Sequence, residues 1–195
     1  MTLFPELPPS VRPAVPAQDT NHWFTPLPLW RQLDAVYRFD LDPCGHMASP
    51  VSSVMLERGD MVMTGGGIGG DGLAVNWSGR SVWLNPPYST VDLSAFVEKA
   101  FHAWGRAKVI VALLPARKTE QPWWQTYVEP FRDTHASFET RFLRGRLTFG
   151  HPEDPHGEHS DQAMFPSVLV YLGPMDPRQA RPVSIRSLRL DEGKA

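Results

Sequence analysis

Three uninterrupted apolar segments constrain the fold of this chain more than any other feature. They are "SVWL" (81–84), "KVIVALLP" (108–115) and "SVLVYL" (167–172). A strand with one solvated face alternates polar and apolar residues, whereas a strand covered on both faces reads as a continuous apolar run. Such strands occur where helices pack on both sides of a sheet. The chain is therefore predicted to form an α/β sheet in which neighbouring strands are mostly parallel.

Helical patterns alternate with these strands. Thr25 and Pro26 are interpreted as an N-cap and first helical position, before apolar residues at helical spacing up to Tyr37. A second helix follows "SVWL"; Ser89 or Thr90 would cap it, and Gly105 would end it. Four further patterns are a strand in "RFDLDP", a short helix at 123–128, a strand within 137–149 and a turn at Gly145.

Length and composition indicate one domain. The chain has 195 residues and 42% hydrophobic content, enough for a single sizeable core. We expect a Pro-rich disordered arm at 1–20, a globular domain at 21–173 and a basic tail at 174–195, so both termini are expected to be flexible. No apolar run is long enough to span a membrane. A single cysteine, Cys44, favours a reducing cytoplasm.

Polar segments follow three of the predicted strands. They are Asp42–Gly45, Asn85–Tyr88 and Pro115–Arg117. In open α/β sheets, ligands bind beyond the carboxyl ends of the strands, and parallel strands end at the same edge. The three segments are therefore predicted to lie together and to form the functional site.

The segment "NPPY" has a specific chemical use. The side-chain carbonyl of Asn85 and the backbone carbonyl of Pro86 can converge on one amino group, and the prolines Pro86 and Pro87 restrict the backbone around them. Such acceptors would stabilise the positive charge that grows on a planar amine as it attacks a carbon. Tyr88 offers a face for base stacking, about 1–3 kcal/mol per base. The structural alternative is a rigid strand-to-helix turn.

"NPPY" and further segments resemble the phage-type DNA N6-adenine methyltransferase family. The resemblance is carried by "FTPLPLW" (24–30), "FDLDPC" (39–44), "DGLAVNWSGRSVWLNPPYS" (71–89), "LLPAR" (113–117), "RFLRGRLTFG" (141–150) and "FPSVLVYL" (165–172). It implies a Rossmann-like methyltransferase sheet, S-adenosylmethionine as the methyl donor, and a DNA adenine flipped out of the duplex as the substrate.

The resemblance also implies roles for individual residues. Asn85, Pro86, Pro87 and Tyr88 would form the catalytic segment. The cofactor would be bound by Thr25, Asp42, Pro43, Asp71 and Asn85. An acidic side chain at a strand end suits a ribose hydroxyl or an exocyclic amine. The alternatives are a turn former at Asp42 and a polar loop residue at Asp71.

A basic cluster is the candidate DNA contact. Arg141, Arg144 and Arg146, with Arg117 after the third strand, could meet phosphates; the alternative is a solvated hairpin. A net charge of −2 requires such a local patch. Because the chain leaves little room for a large recognition domain, we expect loops 58–70 and 144–162 or a second subunit, in a homodimer, to read the site. The family implies a phage or prophage protein acting in a bacterial cell.

Other functions remain open at this point. The same chemistry serves cytosine N4, guanine N2 in RNA and a glutamine amide, and a catalytically inactive nucleic-acid-binding module would share the fold. Cys44 as a nucleophile would suit cytosine C5. "GGGIGG" (65–70) lacks the strand and helix that a dinucleotide site requires, so a surface insertion is favoured. "HPEDPHGEH" (151–159) fits no zinc spacing, and we predict a mobile polar loop and no metal site.

Overall fold

The structure, a computed structural model, describes residues 23–64, 71–132, 134–160, 162–175 and 183–190. The predicted arm at 1–20 and the glycine segment 65–70 lie outside the described residues. None of the helices in the described ranges has the length and apolar character needed to cross a bilayer.

The described strands form one six-stranded sheet in the order β2-β1-β3-β4-β6-β5. The strands are β1 (Leu41–Gly45), β2 (Met61–Thr64), β3 (Ser81–Leu84), β4 (Val109–Pro115), β5 (Phe138–Phe142) and β6 (Ser167–Leu172). Neighbours from β2 to β4 pair in parallel, while β6 runs antiparallel to β4 and β5 on either side of it. The predicted mostly parallel α/β sheet, of the Rossmann-like methyltransferase type, is confirmed.

Four helices connect these strands: α1 (Leu27–Tyr37), α2 (Pro50–Glu57), α3 (Thr90–Ala103) and α4 (Pro122–Tyr127). The predicted cap of α3 is confirmed, since the Ser89 hydroxyl accepts a hydrogen bond from the Asp92 amide at 3.1 Å. The predicted cap of α1 is wrong. Pro26 occupies the cap position, without a side-chain hydrogen bond, and the helix begins at Leu27. The second proline, Pro28, sits in the first turn, where a missing N–H leaves no helical bond unmade.

Both faces of the sheet are buried, which is why its central strands read as apolar runs. Alternate residues of β4 face opposite cores because successive side chains of a strand point to opposite sides. Ile110, Ala112 and Leu114 pack in the core under α3 and α4. Val109, Val111 and Leu113 pack in the core that contains the α1 side chains and the rings of Phe149 and Phe165.

Two features of the fold were not predicted. Helix α2 occupies residues for which we made no prediction. The expectation that 58–70 is a loop is wrong at Met61–Thr64, which form β2 and extend the sheet beyond β1 by pairing with it in parallel. Strand β1 also continues past Pro43 to Gly45, with a register shift between Asp42 and Gly45. A proline lacks the donor of a regular ladder, so it is accommodated where the pairing is irregular.

The predicted tail is described in part, and this part packs against the domain. Ile185 is fully buried in the same core as Phe149. The Arg141 guanidinium donates to the carbonyl oxygens of Ile185 and Leu188, and that of Arg186 donates to the carbonyl oxygen of Thr140. Residues 183–190 therefore cover the β5 edge of the sheet. The domain boundaries themselves stay predictions.

Candidate functional site

The ends of β1, β3 and β4 form one edge of the sheet. β1 pairs in parallel with β3, and β3 in parallel with β4, so their carboxyl ends point the same way. Asp42–Gly45, Asn85–Tyr88 and Pro115–Arg117 accordingly lie side by side at this edge. The start of β6 is also here, because Ser167 pairs with Pro115.

Two hydrogen bonds hold the side chain of Asn85. Its Nδ2 donates to the carbonyl oxygen of Trp23 at 2.5 Å. Its Oδ1 accepts from the hydroxyl of Tyr88 at 2.9 Å. A backbone carbonyl can only accept, so it selects the amide nitrogen as its partner and directs the amide oxygen away from Trp23. Because a carbonyl oxygen has two lone pairs, Oδ1 keeps the capacity for a second donor.

The segment that carries the Trp23 carbonyl is held by backbone pairing. Phe24 and Gly150 exchange two N–H···O bonds of 2.9 and 3.0 Å. Gly150 has no room for a side chain, because a Cβ there would lie 2.0 Å from the Pro155 carbonyl oxygen. The ring of Trp23 also packs edge-on against Phe149 and Phe165, with centroids 5.6 and 5.8 Å away. Trp23, whose carbonyl binds Asn85, is thus held through the backbone pairing of its neighbour Phe24 and through the packing of its own ring.

Tyr88 contacts β4 and the aromatic ring of Phe165, in addition to Asn85. Its hydroxyl also lies 3.3 Å from the carbonyl oxygen of Leu113, and its ring is edge-on to Phe165 at 5.5 Å. Burial raises the pKa of Tyr88 well above its usual range. The hydroxyl therefore stays protonated and keeps donating to Asn85 at neutral pH.

Asp42 is a buried carboxyl group at the end of β1. Its side chain belongs to a residue only 5% exposed, and Oδ1 accepts from the Cys44 amide at 2.9 Å. Burial raises the pKa of Asp42 to about 7, an effect that the Cys44 hydrogen bond partly opposes. No ion pair joins this carboxyl to a basic group of the described chain. Such an acceptor suits a polar ligand that brings hydroxyl or amine donors to the strand end.

The loop that begins at Asp71 packs directly on β1. A Cβ on Gly72 would lie 1.9 Å from the Pro43 carbonyl oxygen, so only glycine permits this approach. Asp71 is exposed, and its Oδ1 accepts from the Leu73 amide at 2.8 Å. The indole of Trp77 donates to the Gly72 carbonyl oxygen, and Lys99 Nζ donates to that of Leu73. Asp71 is therefore presented beside Pro43.

Acidic groups surround Cys44. Burial raises the pKa of the Cys44 thiol, and the negative charges of Asp42, Asp92 and Asp71 raise it further. A nucleophilic cysteine needs a lowered pKa and a positive surrounding, so this environment argues against the cytosine C5 alternative. Asp92, in the first turn of α3, was missed in our sequence analysis, although "STVD" (89–92) carries the capping pattern that would have marked it.

Thr25 is buried near the same edge. Its neighbour Phe24 packs its ring against that of His46, with centroids 5.0 Å apart, and His46 follows β1. The start of the described chain and the end of β1 therefore meet beside the predicted cofactor residues Asp42 and Pro43.

The four candidate DNA-binding arginines have different surroundings. The Arg117 guanidinium carbon lies 4.4 Å from the centroid of the Phe165 ring, next to Tyr88. Arg141 is bound to the carbonyl oxygens of the 183–190 segment. Arg144 and Arg146 are exposed on either side of Gly145, whose φ of +73° confirms the predicted turn. Among the residues described between this turn and β6, none forms a further strand.

The histidine-rich loop is organised by an aspartate. Asp154 accepts hydrogen bonds from the amides of Glu158 and His159 and from the Ser160 hydroxyl, and these bonds lower its pKa. Within the described ranges, no three His, Cys, Asp or Glu side chains are grouped as metal ligands would be.

Comparison with known proteins assigns the chain to a family. A search of curated proteins finds no match. A family model for DNA N-6-adenine-methyltransferase (Dam) matches residues 13–194, which is nearly the whole chain and includes every predicted site residue. This family uses S-adenosylmethionine as the methyl donor. The chain belongs to the DNA N-6-adenine-methyltransferase family, and it is an S-adenosylmethionine-dependent DNA adenine methyltransferase.

Proposed function

We propose that the carbonyl groups of Asn85 and Pro86 bind the N6 amine of the target adenine. The observation that carries this assignment is the fixed Asn85 amide, whose Nδ2 donates to the Trp23 carbonyl while Oδ1 accepts from the Tyr88 hydroxyl. S-adenosylmethionine supplies a methyl carbon made electrophilic by a sulfonium sulfur. A positioned acceptor of this kind needs no reorganisation when charge develops on the amine.

Asn85 would act through charge stabilisation rather than proton abstraction. An exocyclic amine is a poor nucleophile because its lone pair is delocalised into the ring, and acceptors on its hydrogens favour a pyramidal nitrogen. The raised pKa of Tyr88 keeps its hydroxyl protonated, so Tyr88 donates to Asn85 Oδ1 and is not the base. The proton can leave the nitrogen to solvent after methyl transfer.

Tyr88 would provide the stacking surface for the adenine. A base inside a duplex cannot reach a site at the edge of this sheet, so the target nucleotide has to rotate out of the helix, at a cost of a few kcal/mol. Stacking on an aromatic ring returns about 1–3 kcal/mol. Pro87 restricts the backbone between the amide and the ring.

The residues at the neighbouring strand end fit S-adenosylmethionine. Asp42 is a buried acceptor with no ion-pair partner among the described residues. Pro43 follows it in β1, Asp71 is close enough to Cys44 to raise the pKa of its thiol, and Thr25 is buried next to Phe24, whose ring contacts that of His46 after β1. We assign Asp42 and Asp71 to hydroxyl and amine donors of the cofactor and Thr25 to its methionine end. Arg117, Arg144 and Arg146 are assigned to DNA phosphates on the outer part of the same edge. Arg141 is assigned to the anchoring of 183–190, because its guanidinium donates to the carbonyl oxygens of Ile185 and Leu188.

Two sequence predictions about the assembled enzyme stay predictions. One is a homodimer, in which a second subunit helps to read the DNA site. The other is a phage or prophage origin, with methylation taking place in a bacterial cell.

The experiment that tests the assignment compares wild type with Asn85→Ala. DNA incubated with each protein and labelled S-adenosylmethionine is digested to nucleosides, and N6-methyladenine is measured. Wild type should form it, and the variant should form almost none while remaining folded, with little loss of stability in a thermal-unfolding measurement without cofactor. Equal product from the two proteins would remove Asn85 from the mechanism.

A further inference from the structure

Met164 is the most exposed large apolar residue among those described, with 84% of its surface accessible. It lies between two buried neighbours, Ala163 at 2% and Phe165 at 3% exposure. Single exposed apolar side chains are common on protein surfaces, so exposure alone indicates nothing. The way the backbone holds Met164, and what lies beside it, are the informative observations.

The backbone is anchored on both sides of Met164. The Ala163 amide donates to the Leu147 carbonyl oxygen at 2.9 Å, and the Pro166 carbonyl accepts from the Ala116 amide at 2.8 Å. The rings of Phe165 and Tyr88 are also in contact. A bend held this firmly presents one flexible thioether side chain to solvent at a fixed place.

That place is next to the proposed adenine site. Phe165, the residue after Met164, lies edge-on to the Tyr88 ring at 5.5 Å. The Arg117 guanidinium covers the Phe165 ring at 4.4 Å. A ring suited to base stacking, an exposed apolar side chain and a cation suited to phosphate therefore lie close together at this part of the edge.

We propose that Met164 enters the DNA duplex and fills the space vacated by the flipped adenine. This proposal rests on the proposed function of Asn85 and Tyr88. Rotating a base out of the helix leaves its neighbours unstacked and the opposite base unpaired, and an inserted apolar side chain such as Met offsets part of that cost. The unbranched thioether chain adapts to the irregular gap. Met164 would thus act on the position of the substrate and not on the reacting atoms.

The test uses Met164→Ala with two companion variants. Met164→Leu preserves an apolar side chain of similar size. Met175→Ala makes the same truncation at another partly exposed methionine, 47% accessible, which follows the far end of β6. The substrates are a duplex that contains an adenine methylated by wild type, and the same duplex with an abasic site opposite that adenine.

Met164→Ala should lower kcat/KM on the paired duplex by about tenfold or more, since insertion would no longer offset the unstacking. On the duplex with the abasic site, no opposite base is left unpaired, so insertion has a smaller cost to offset and the loss for Met164→Ala should be clearly smaller. Met164→Leu and Met175→Ala should stay within about twofold of wild type on both substrates. An equal loss for Met164→Ala on both duplexes, or no loss on either, would overturn the proposal.

A fluorescence measurement separates this proposal from the function on which it rests. 2-Aminopurine placed at the target position brightens when it leaves the base stack. Brightening with wild type and a clearly smaller signal with Met164→Ala would support insertion. Equal brightening with wild type and Met164→Ala would contradict the insertion of Met164 but not the proposed function of Asn85 and Tyr88. If neither wild type nor Tyr88→Ala, in which no ring at this position can quench a stacked base, produced brightening, base flipping at Asn85 and Tyr88 would itself be contradicted.

Discussion

The side-chain amide of Asn85 donates from Nδ2 to the carbonyl oxygen of Trp23, a residue 62 positions earlier in the chain. The contact joins the "NPPY" segment to the strand-like pair of Phe24 and Gly150. It determines which end of the amide faces the Trp23 segment and which end accepts from the Tyr88 hydroxyl. The orientation of the proposed catalytic oxygen therefore depends on a part of the chain that contributes no reacting group.

Asn85→Asp tests this orientation. An ionised carboxylate would place an oxygen against the Trp23 carbonyl, whereas a protonated carboxyl can donate to it as the amide does. The protonated form is favoured in the folded state, so the pKa of the new carboxyl should be raised. Stability and activity should then be highest at acidic pH and fall as pH rises through that raised pKa.

Tm and kcat/KM of Asn85→Asp and of wild type are measured between pH 5 and pH 8. At each pH, the Tm of the variant is compared with that of wild type as a difference, and its kcat/KM as a ratio of variant to wild type. Both the Tm difference (variant minus wild type) and the ratio should rise toward pH 5. If neither the Tm difference nor the kcat/KM ratio changed across this pH range, the Trp23 carbonyl would not require a hydrogen-bond donor at the side chain of residue 85.

Gly150→Ala should impair catalysis through the same contact. The added Cβ would lie 2.0 Å from the Pro155 carbonyl oxygen, so the pairing of Gly150 with Phe24 must shift, and the Trp23 carbonyl with it. We expect a stability loss of about 1–3 kcal/mol, together with a kcat lowered at temperatures where the variant remains folded.

The matched control is Gly79→Ala. Gly79 has a φ of +71° and open space around its Cβ position, so its substitution strains the backbone without touching the site. Its stability should fall by about 1–2 kcal/mol while kcat is kept. Similar kcat values for the two folded variants would argue against a role for the Gly150 pairing in catalysis.

Asp42→Asn should stabilise the protein without cofactor in a pH-dependent way. Burial raises the folded-state pKa to about 7, whereas the unfolded group titrates near 3.8. Between these values the unfolded chain loses the proton first, so the free energy of unfolding of wild type falls as pH rises from about 4 to 7. Asparagine keeps an acceptor for the Cys44 amide but cannot ionise.

Chemical denaturation at a series of pH values checks this expectation. The stabilisation by Asp42→Asn should be small near pH 4, grow to pH 7 and then level off. In a parallel titration the variant should bind S-adenosylmethionine more weakly. A stabilisation that is the same at pH 4 and pH 8 would show that Asp42 is not held in a raised-pKa state.

Arg141→Ala and Arg146→Ala should separate structural from DNA-binding arginines. Arg141 donates to the carbonyl oxygens of Ile185 and Leu188, so its loss should lower the free energy of unfolding by about 1.5–3 kcal/mol without DNA present. Arg146 is exposed at the Gly145 turn. Its loss should leave Tm unchanged.

The DNA measurement for this pair is the slope of log Kd against log salt. For Arg146→Ala the slope should fall by about one unit if the guanidinium contacts a phosphate. An unchanged slope for Arg146→Ala would show that Arg146 does not contact a DNA phosphate. An unchanged Tm for Arg141→Ala would show that Arg141 does not stabilise the packing of residues 183–190.

Local patterns predicted the parts of the fold that depend on local chemistry. "KVIVALLP" indicates a strand buried on both faces because its residues alternate between two cores, and Ser89 caps α3 because its hydroxyl reaches an amide three residues ahead. The α1 cap was misplaced by one residue, since Thr25 and Pro26 both suit a helix start. Helix α2 is only eight residues long, too short for a clear period.

By itself, the sequence determined the buried central strands, the three polar strand ends and the chemistry available at Asn85, because strand periodicity and residue type are local properties. Only the tertiary structure decided the partner of the Asn85 amide, the burial of Asp42, the engagement of Arg141 and the display of Met164. These depend on contacts between segments far apart in the chain. No local period records such contacts, since they arise only when the strands and loops have packed together.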